Sequence, residues 1–130
     1  MDNKWGVKEE QARVLDEIER SYGKEIRILK GGHLSDSCIN VEDGNVVVLH
    51  LEGGGIESLP DDIGNLRLLR ELSIKGHDLG SLPDSFGGLE SLERCGISFC
   101  KLEELPETFG NLQSLKFLNL IINDLRKLPE

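Results

Sequence analysis

The sequence lacks long apolar segments and lacks a set of cysteines spaced for disulfide bonds. No apolar stretch follows Met1, so we expect no signal peptide. The longest apolar runs, such as residues 46–49, are far too short to cross a bilayer. The three cysteines, Cys38, Cys95 and Cys100, show no framework spacing, which predicts free thiols in a reducing compartment. We therefore expect a cytoplasmic location, with the last two cysteines serving as small core residues.

Basic residues are not in excess either. The 130 residues carry a formal net charge of −9, and acidic and basic residues are interspersed. A chain of this charge repels phosphate backbones and anionic lipid headgroups, so neither nucleic acid nor a membrane surface is expected as a partner. The length predicts a single compact unit.

Patterns that carry catalysis or bind metal are missing as well. His33, His50 and His77 form no i,i+4 pair and no Cys-x-x-Cys occurs, so no metal site is predicted. Residues 53–55 are all glycine, but no Gly-Lys-Ser/Thr follows them. We interpret this run as a strand-to-turn transition rather than a phosphate loop. The sequence therefore predicts neither an enzyme nor a bound cofactor.

What the sequence does contain is a strict period of 23 residues. Four kinds of position share it, which makes chance a poor explanation, and a leucine lattice of this period is typical of a repeat solenoid. They are the prolines Pro60, Pro83, Pro106 and Pro129, the leucines directly before them at Leu59, Leu82, Leu105 and Leu128, the glycines Gly64, Gly87 and Gly110, and the leucines Leu66, Leu89 and Leu112.

Each repeat has the pattern of a strand with one buried face, followed by a turn. The repeats begin at Val46, Leu69, Leu92 and Leu115, and the last is incomplete. Apolar residues alternate with variable ones, as in a half-buried strand. The expected inward positions are Leu49, Leu51, Leu72, Ile74, Cys95, Ile97, Leu118 and Leu120 on the strands, and Ile56, Leu79, Leu102 and Leu125 after them.

Between the strands, proline stops ladder pairing and fixes an extended bend. The acidic and hydroxyl residues that follow it, at 61–62, 84–85 and 107–108, are expected to cap a short helical turn. The glycine of the period is expected to permit the tight return of the chain. Because one repeat cannot bury its leucines alone, stacking should produce a parallel sheet on a concave face.

The run at residues 59–69, Leu-Pro-Asp-Asp-Ile-Gly-Asn-Leu-x-x-Leu, and its copies resemble the 23-residue leucine-rich repeats of intracellular proteins. Ras-interacting scaffolds and many plant, bacterial and archaeal proteins carry this form, and the resemblance covers residues 46–130. It implies an α/β solenoid whose concave parallel sheet has about four repeat strands. In the family an asparagine after each strand binds the neighbouring backbone. Here only Asn123 matches; His77 is expected to substitute, Cys100 takes a third place, and Gly54 cannot make that bond.

Residues 1–45 lie before the repeats and are expected to cap the N-terminal end of the solenoid. An amphipathic helix is predicted over residues 8–22, with Gly23 placed to end it. Alternating apolar residues near Ile26 and Ile39 predict short strands, and residues 42–45 predict a hairpin turn into the first repeat.

The variable strand positions and the residues just after the strands are the predicted partner-binding surface. They are His50, Glu52, Glu71, Ser73, Lys75, Arg94, Ser98, Phe99, Phe117, Asn119, Ile121 and Ile122. The apolar members near the C-terminal end suggest a binding hot spot. The alternative is that these apolar residues pack against further repeats or a second copy, since no capping element follows the last repeat.

The sequence thus favours a protein–protein interaction module, a scaffold or adaptor that holds a protein on its concave sheet. The resemblance to Ras-interacting proteins makes a small GTPase one candidate partner. One alternative is the substrate-recognition part of a larger enzyme, such as a ubiquitin ligase, kinase or GTPase. Another is a structural protein that self-associates through its C-terminal edge.

Overall fold

The computed structural model describes residues 3–28, 37–121, 123 and 125. Six strands form one sheet in chain order, with α-helix α1 at the N-terminal end and three 3-10 helices between the repeat strands. The elements are α1 (Glu9–Tyr22), β1 (Arg27–Ile28), β2 (Cys38–Glu42), β3 (Asn45–Glu52), β4 (Glu71–Lys75), β5 (Arg94–Ser98), β6 (Phe117–Asn119) and the 3-10 helices Ile63–Asn65, Asp84–Gly88 and Glu107–Asn111. His33, Ile122, Leu128 and Pro129, named above, lie outside the described residues.

The four repeat strands, β3 to β6, pair in parallel with the register that the 23-residue period predicts. Leu49, Leu72, Cys95 and Leu118 are aligned across the four strands. The strand-forming residues and the proline-bounded turns recur at the same offset, so each strand meets its neighbour one period away. The predicted solenoid of four repeat strands is therefore confirmed.

The segment before the repeats lies at the N-terminal edge of this sheet. Helix α1 buries one face, and Gly23 ends it with a left-handed φ of 70°. The buried Gln11 joins α1 to the first repeat: its side chain accepts a hydrogen bond from the Val46 N–H (2.8 Å) and donates one to Asn45 Oδ1 (2.9 Å). Strand β2 then pairs antiparallel with β3 through a tight turn in which Asp43 and Gly44 both have positive φ.

The acidic residues after the prolines do not cap the 3-10 helices, so that prediction is wrong. None of the three helices has a side-chain cap hydrogen bond. In the second and third, Pro83 and Pro106 take the position before the helix with extended ψ angles, and the acid is already the first helical residue. The proline carbonyls accept the hydrogen bonds from Phe86 N–H (3.0 Å) and Phe109 N–H (2.9 Å), so proline, which has no side-chain acceptor, holds the capping position.

The structure gives a different explanation from the predicted one for why glycine recurs at this position of the period. Gly64 and Gly87 do not have positive φ. A Cβ on either would instead lie 2.4 Å from a carbonyl oxygen of the next repeat, that of Ser85 or Thr108. These glycines therefore set how closely neighbouring repeats can stack, rather than how the chain turns. At Gly110 a Cβ would meet nothing within 4 Å in the described part of the chain.

A continuous apolar core runs behind the sheet and thins at the C-terminal edge. Leu72 on β4 is 1% exposed, whereas Leu118, at the same position on β6, is 46% exposed. The register places Leu118 at the predicted inward position, but its side chain is not buried. The reason is that β6 is the last strand of the described sheet, so one side of its leucine has no neighbouring strand.

Candidate interaction surface

The solvent-facing side of β3 to β6, called here the concave face, presents the variable strand positions in rows. Side chains alternate along each strand, so a parallel register lines up the outward ones. The rows are Val48, Glu71, Arg94 and Phe117; then His50, Ser73, Gly96 and Asn119; and then Glu52, Lys75 and Ser98, with Ile121 after β6.

The residues predicted to bind a partner divide between two concavities. One open groove is lined by His50, Glu71, Ser73, Arg94, Phe117, Asn119 and Ile121. Glu52, Lys75 and Phe99 instead line a second concavity near the N-terminal segment. The predicted apolar cluster is therefore divided, because Phe99 has a positive φ of 57° and lines the second concavity, away from Phe117.

Ser98 does not present its side chain to solvent, which corrects the prediction for that position. It is only 8% exposed. Its short side chain lies beside the longer Lys75 in the strand register, and the following residue, Phe99, pairs through its N–H with the Ile121 carbonyl (3.3 Å). Ile122 lies outside the described residues.

Charge on the groove is arranged unevenly. His50 Nε2 lies 2.7 Å from Glu71 Oε2, so this carboxylate has a partner on the neighbouring strand. The Arg94 guanidinium lies 4.5 Å from the centroid of the Phe117 ring, a cation–π arrangement that joins β5 to β6. Within the described residues, no carboxylate lies within 4.0 Å of the Arg94 side-chain nitrogens.

The second concavity contains residues that the sequence did not indicate. Tyr22 Oη donates a hydrogen bond to the Glu52 carbonyl and contacts Ser37 Oγ. Lys24 Nζ donates to the Gly53 carbonyl at 2.7 Å and lies 5.5 Å from the Tyr22 ring centroid. The one available signal was that Tyr22 stands directly before the helix-ending glycine, where a side chain can reach past the helix.

Beneath the concave face, a ladder of side chains joins each repeat to the one before it. His77 accepts a hydrogen bond from Ile56 N–H at Nδ1 (3.2 Å), and its Nε2 lies 3.3 Å from the Leu51 carbonyl. Asn123 makes the equivalent bonds, from Leu102 N–H to Oδ1 (3.2 Å) and from Nδ2 to the Ile97 carbonyl (2.6 Å). The predicted substitution of His77 for asparagine is therefore confirmed. Burial is the main reason that the pKa of His77 is lowered from its ordinary 6.5.

The cysteines are core residues in this arrangement. Cys38, Cys95 and Cys100 are all buried, and Cys100 Sγ lies 3.2 Å from the Ser98 carbonyl. Burial raises the pKa of Cys95 to about 12, which leaves it protonated and a poor nucleophile at neutral pH. The prediction that Cys95 and Cys100 are small core residues is confirmed.

The described residues contain neither a metal-binding group of side chains nor a helix that could span a membrane. No group of three or more His, Cys, Asp or Glu side chains there could hold a metal ion. The helices in that part of the chain fall short of the length and apolar character needed to span a bilayer.

Comparison with known proteins finds a matching family model and similar solved structures. Residues 46–130 match the model of the leucine-rich repeat region. A solved structure of a leucine-rich-repeat protein from Leptospira interrogans is similar, with 36% sequence identity and a TM-score of 0.59; the match covers 62% of this chain and 20% of the Leptospira chain. No curated protein matches the sequence. The chain thus spans about a fifth of the length of the similar bacterial protein.

Proposed function

Because the chain belongs to the leucine-rich-repeat family, in which protein interaction is the general role, we propose that it is a scaffold or adaptor module that holds a protein on its concave face. The observation that carries this proposal is the exposed Phe117. This residue is 56% exposed, the Arg94 guanidinium lies 4.5 Å from its ring centroid, and both residues line the groove. Aromatic and arginine side chains of this kind are common energetic centres of protein interfaces.

The proposed location of this activity is the cytoplasm, which rests on the cysteine usage described above. The resemblance to Ras-interacting proteins supplies a small GTPase as the first purified partner to test. In this family recognition without catalysis is the usual role, and the proposal assigns the chain no reaction.

The test is affinity capture with the wild-type chain, with Phe117→Glu and with a matched control, Leu68→Glu. Leu68 is also an exposed large apolar residue, at 46%, but it precedes β4 and lies outside the groove. We expect Phe117→Glu to lose a specific partner that both the wild-type chain and Leu68→Glu retain. The melting temperature should stay nearly unchanged, because Phe117 contributes little buried area.

Two results would contradict the proposal. If every captured protein binds Phe117→Glu as well as wild type, the groove is not the binding site. If Phe117→Glu lowers the melting temperature by several degrees, Phe117 is a packing residue and its exposure does not indicate recognition.

A second candidate role is self-association through β6, and the exposure of Leu118 favours it. An edge strand with exposed apolar side chains can pair with another chain. Light scattering coupled to size exclusion, from low to high micromolar concentration, separates the two roles. A dimer that Leu118→Lys disrupts supports self-association, whereas a monomer throughout excludes it in this range.

A further inference from the structure

Gly96, at the centre of β5, is a glycine that the fold does not require. Its φ is not in the left-handed region, and a Cβ there would meet no heavy atom of the described chain within 4 Å. Gly87, by contrast, is required because the next repeat packs against it, and Gly76 has a φ of 79°. Glycine weakens a strand interior and often marks a place where a ligand or another backbone approaches closely. Packing within the described residues therefore gives no reason for a glycine at position 96.

The open space above Gly96 has defined sides. Ser73 and Asn119 are its neighbours in the strand register, so two short polar side chains border it across the sheet. Arg94 lies two residues earlier on the same strand and faces the same side. The Arg94 guanidinium is held on the Phe117 ring, which positions a cation at the rim of the space.

Arg94 is the cation of the groove whose charge is not matched nearby. Glu71, the neighbour of Arg94 in the register, pairs with His50 instead, at 2.7 Å. Lys75, the other basic residue of the predicted surface, lines the second concavity and not this groove. The chain as a whole has 24 acidic residues against 15 basic ones, yet the described part places no carboxylate within 4.0 Å of the Arg94 nitrogens. A guanidinium beside an aromatic ring keeps its fork of N–H donors available to a carboxylate.

Resting on the proposed function, we infer that the partner contributes an extended acidic segment to this groove. Its main chain crosses the concave face above Gly96, where the missing side chain leaves room, and an Asp or Glu carboxylate of the segment pairs with Arg94. An apolar side chain beside that acid packs on the exposed Phe117 and Ile121. A basic segment is disfavoured, because it would place a second cation against Arg94.

The test uses the purified chain and synthetic nonapeptide pools with blocked termini, read by fluorescence polarisation with an uncharged dye. In each pool one central position is fixed as Asp, Glu, Asn, Gln or Lys, and the remaining positions are random. The protein variants are Arg94→Gln, Gly96→Val and a matched charge control, Arg67→Gln. Arg67 is exposed but does not line the groove.

We expect the Asp or Glu pools to bind at least about tenfold more tightly than the Asn and Gln pools, since a charge-assisted bond is lost in the amides. Arg94→Gln should remove this preference, and Arg67→Gln should retain it. Gly96→Val should remove binding of every pool while its melting temperature equals or exceeds that of wild type, because valine suits a strand and meets open space.

Three outcomes would overturn the inference. They are amide pools that bind as well as acidic ones, acidic binding that survives both Arg94→Gln and Gly96→Val, and an absence of binding by any pool. Each of these leaves the proposed function standing if a captured partner still depends on Phe117. A loss of several degrees in Gly96→Val would show that the fold requires the glycine, and the first step of the argument would be wrong. Loss of Phe117-dependent capture together with intact acidic-peptide binding would instead contradict the proposed function alone.

Discussion

His77 offers the sharpest test of how the repeats hold together. The side chain is 3% exposed and bonds to the preceding repeat at both ring nitrogens, through Ile56 N–H (3.2 Å) and the Leu51 carbonyl (3.3 Å). His77→Ala leaves two buried main-chain groups without these partners, and each such group costs about 1–3 kcal/mol. Two such groups would together cost about 2–6 kcal/mol. Because both bonds are long, we expect a loss in the lower half of this total, about 2–4 kcal/mol.

This loss of stability corresponds to a decrease in melting temperature. An unfolding entropy of about 2.1 cal/mol/K per residue predicts a decrease of roughly 7–15 °C for a chain of this length. His77→Asn is the matched control, because Asn123 occupies the equivalent ladder position two repeats later and makes the equivalent two bonds. We expect His77→Asn to stay within about 1 kcal/mol of wild type at pH 7.5, since the ladder bonds are retained.

The same residue predicts a dependence on pH. Burial is the largest influence and lowers the pKa of His77 below 6.5; the hydrogen bond to Leu51 opposes it, and the nearby Lys24 adds a smaller lowering. The neutral ring is needed, because Nδ1 accepts from Ile56 N–H and a protonated Nδ1 cannot. The unfolded chain therefore takes up this proton at a higher pH than the folded chain. The stabilisation is present above about pH 6.5 and is lost as the pH falls from there toward the folded pKa.

The assay is urea unfolding from pH 5.5 to 7.5, followed by the fluorescence of the buried Trp5, which is the single tryptophan. The difference between wild type and His77→Asn isolates this residue from the carboxylates that both chains share. As the pH falls, the free energy of unfolding of wild type should decrease relative to that of His77→Asn. A loss below about 1 kcal/mol in His77→Ala, or a difference that does not change with pH, would refute the reasoning.

Two paired substitutions test the stacking of the repeats by the same urea titration. Gly87→Ala should cost more than about 2 kcal/mol, because backbone rather than a flexible side chain meets its Cβ, whereas Gly110→Ala should be neutral or stabilising by up to about 1 kcal/mol. Equal losses at the two glycines would mean that the carbonyl contact is not what Gly87 avoids. Leu72→Ala should cost about 2–5 kcal/mol and Leu118→Ala less than half as much, since Leu118 is already 46% exposed. Similar costs would show that the edge strand is packed as tightly as the centre.

The period in the sequence was enough to predict the parallel sheet, its register and the ladder role of His77. Every repeat meets the same neighbour at the same offset, so a pattern repeated every 23 residues carries the three-dimensional contacts within it. The helix and hairpin before the repeats could also be expected, because they depend on local periodicity and on turn residues such as Asp43 and Gly44.

The errors lie where a residue's role depends on something outside its own repeat. Gly87 looks like a turn residue in the sequence, and only the position of Thr108, in the next repeat, shows that it is a packing residue. The prediction of capping was wrong because Pro106 occupies the position before the helix and Glu107 is already its first residue. The burial of Ser98 depends on the lengths of the side chains around it, which alternation alone does not describe.

The groove is formed by two central strands and by the less supported strand β6, and this difference affects how it would bind a partner. Strands β4 and β5 are paired on both sides, whereas β6 is paired on one side within the described residues, and all three of its residues are exposed. The stack of Arg94 on Phe117 crosses from the supported strand to the edge strand. A ligand seated against both residues would therefore bury apolar surface that the fold itself leaves uncovered, and it would support β6 where the repeat stack does not. Under the proposed function, recognition and completion of the sheet edge would be coupled at Phe117, so a charge at that position should affect binding far more than folding.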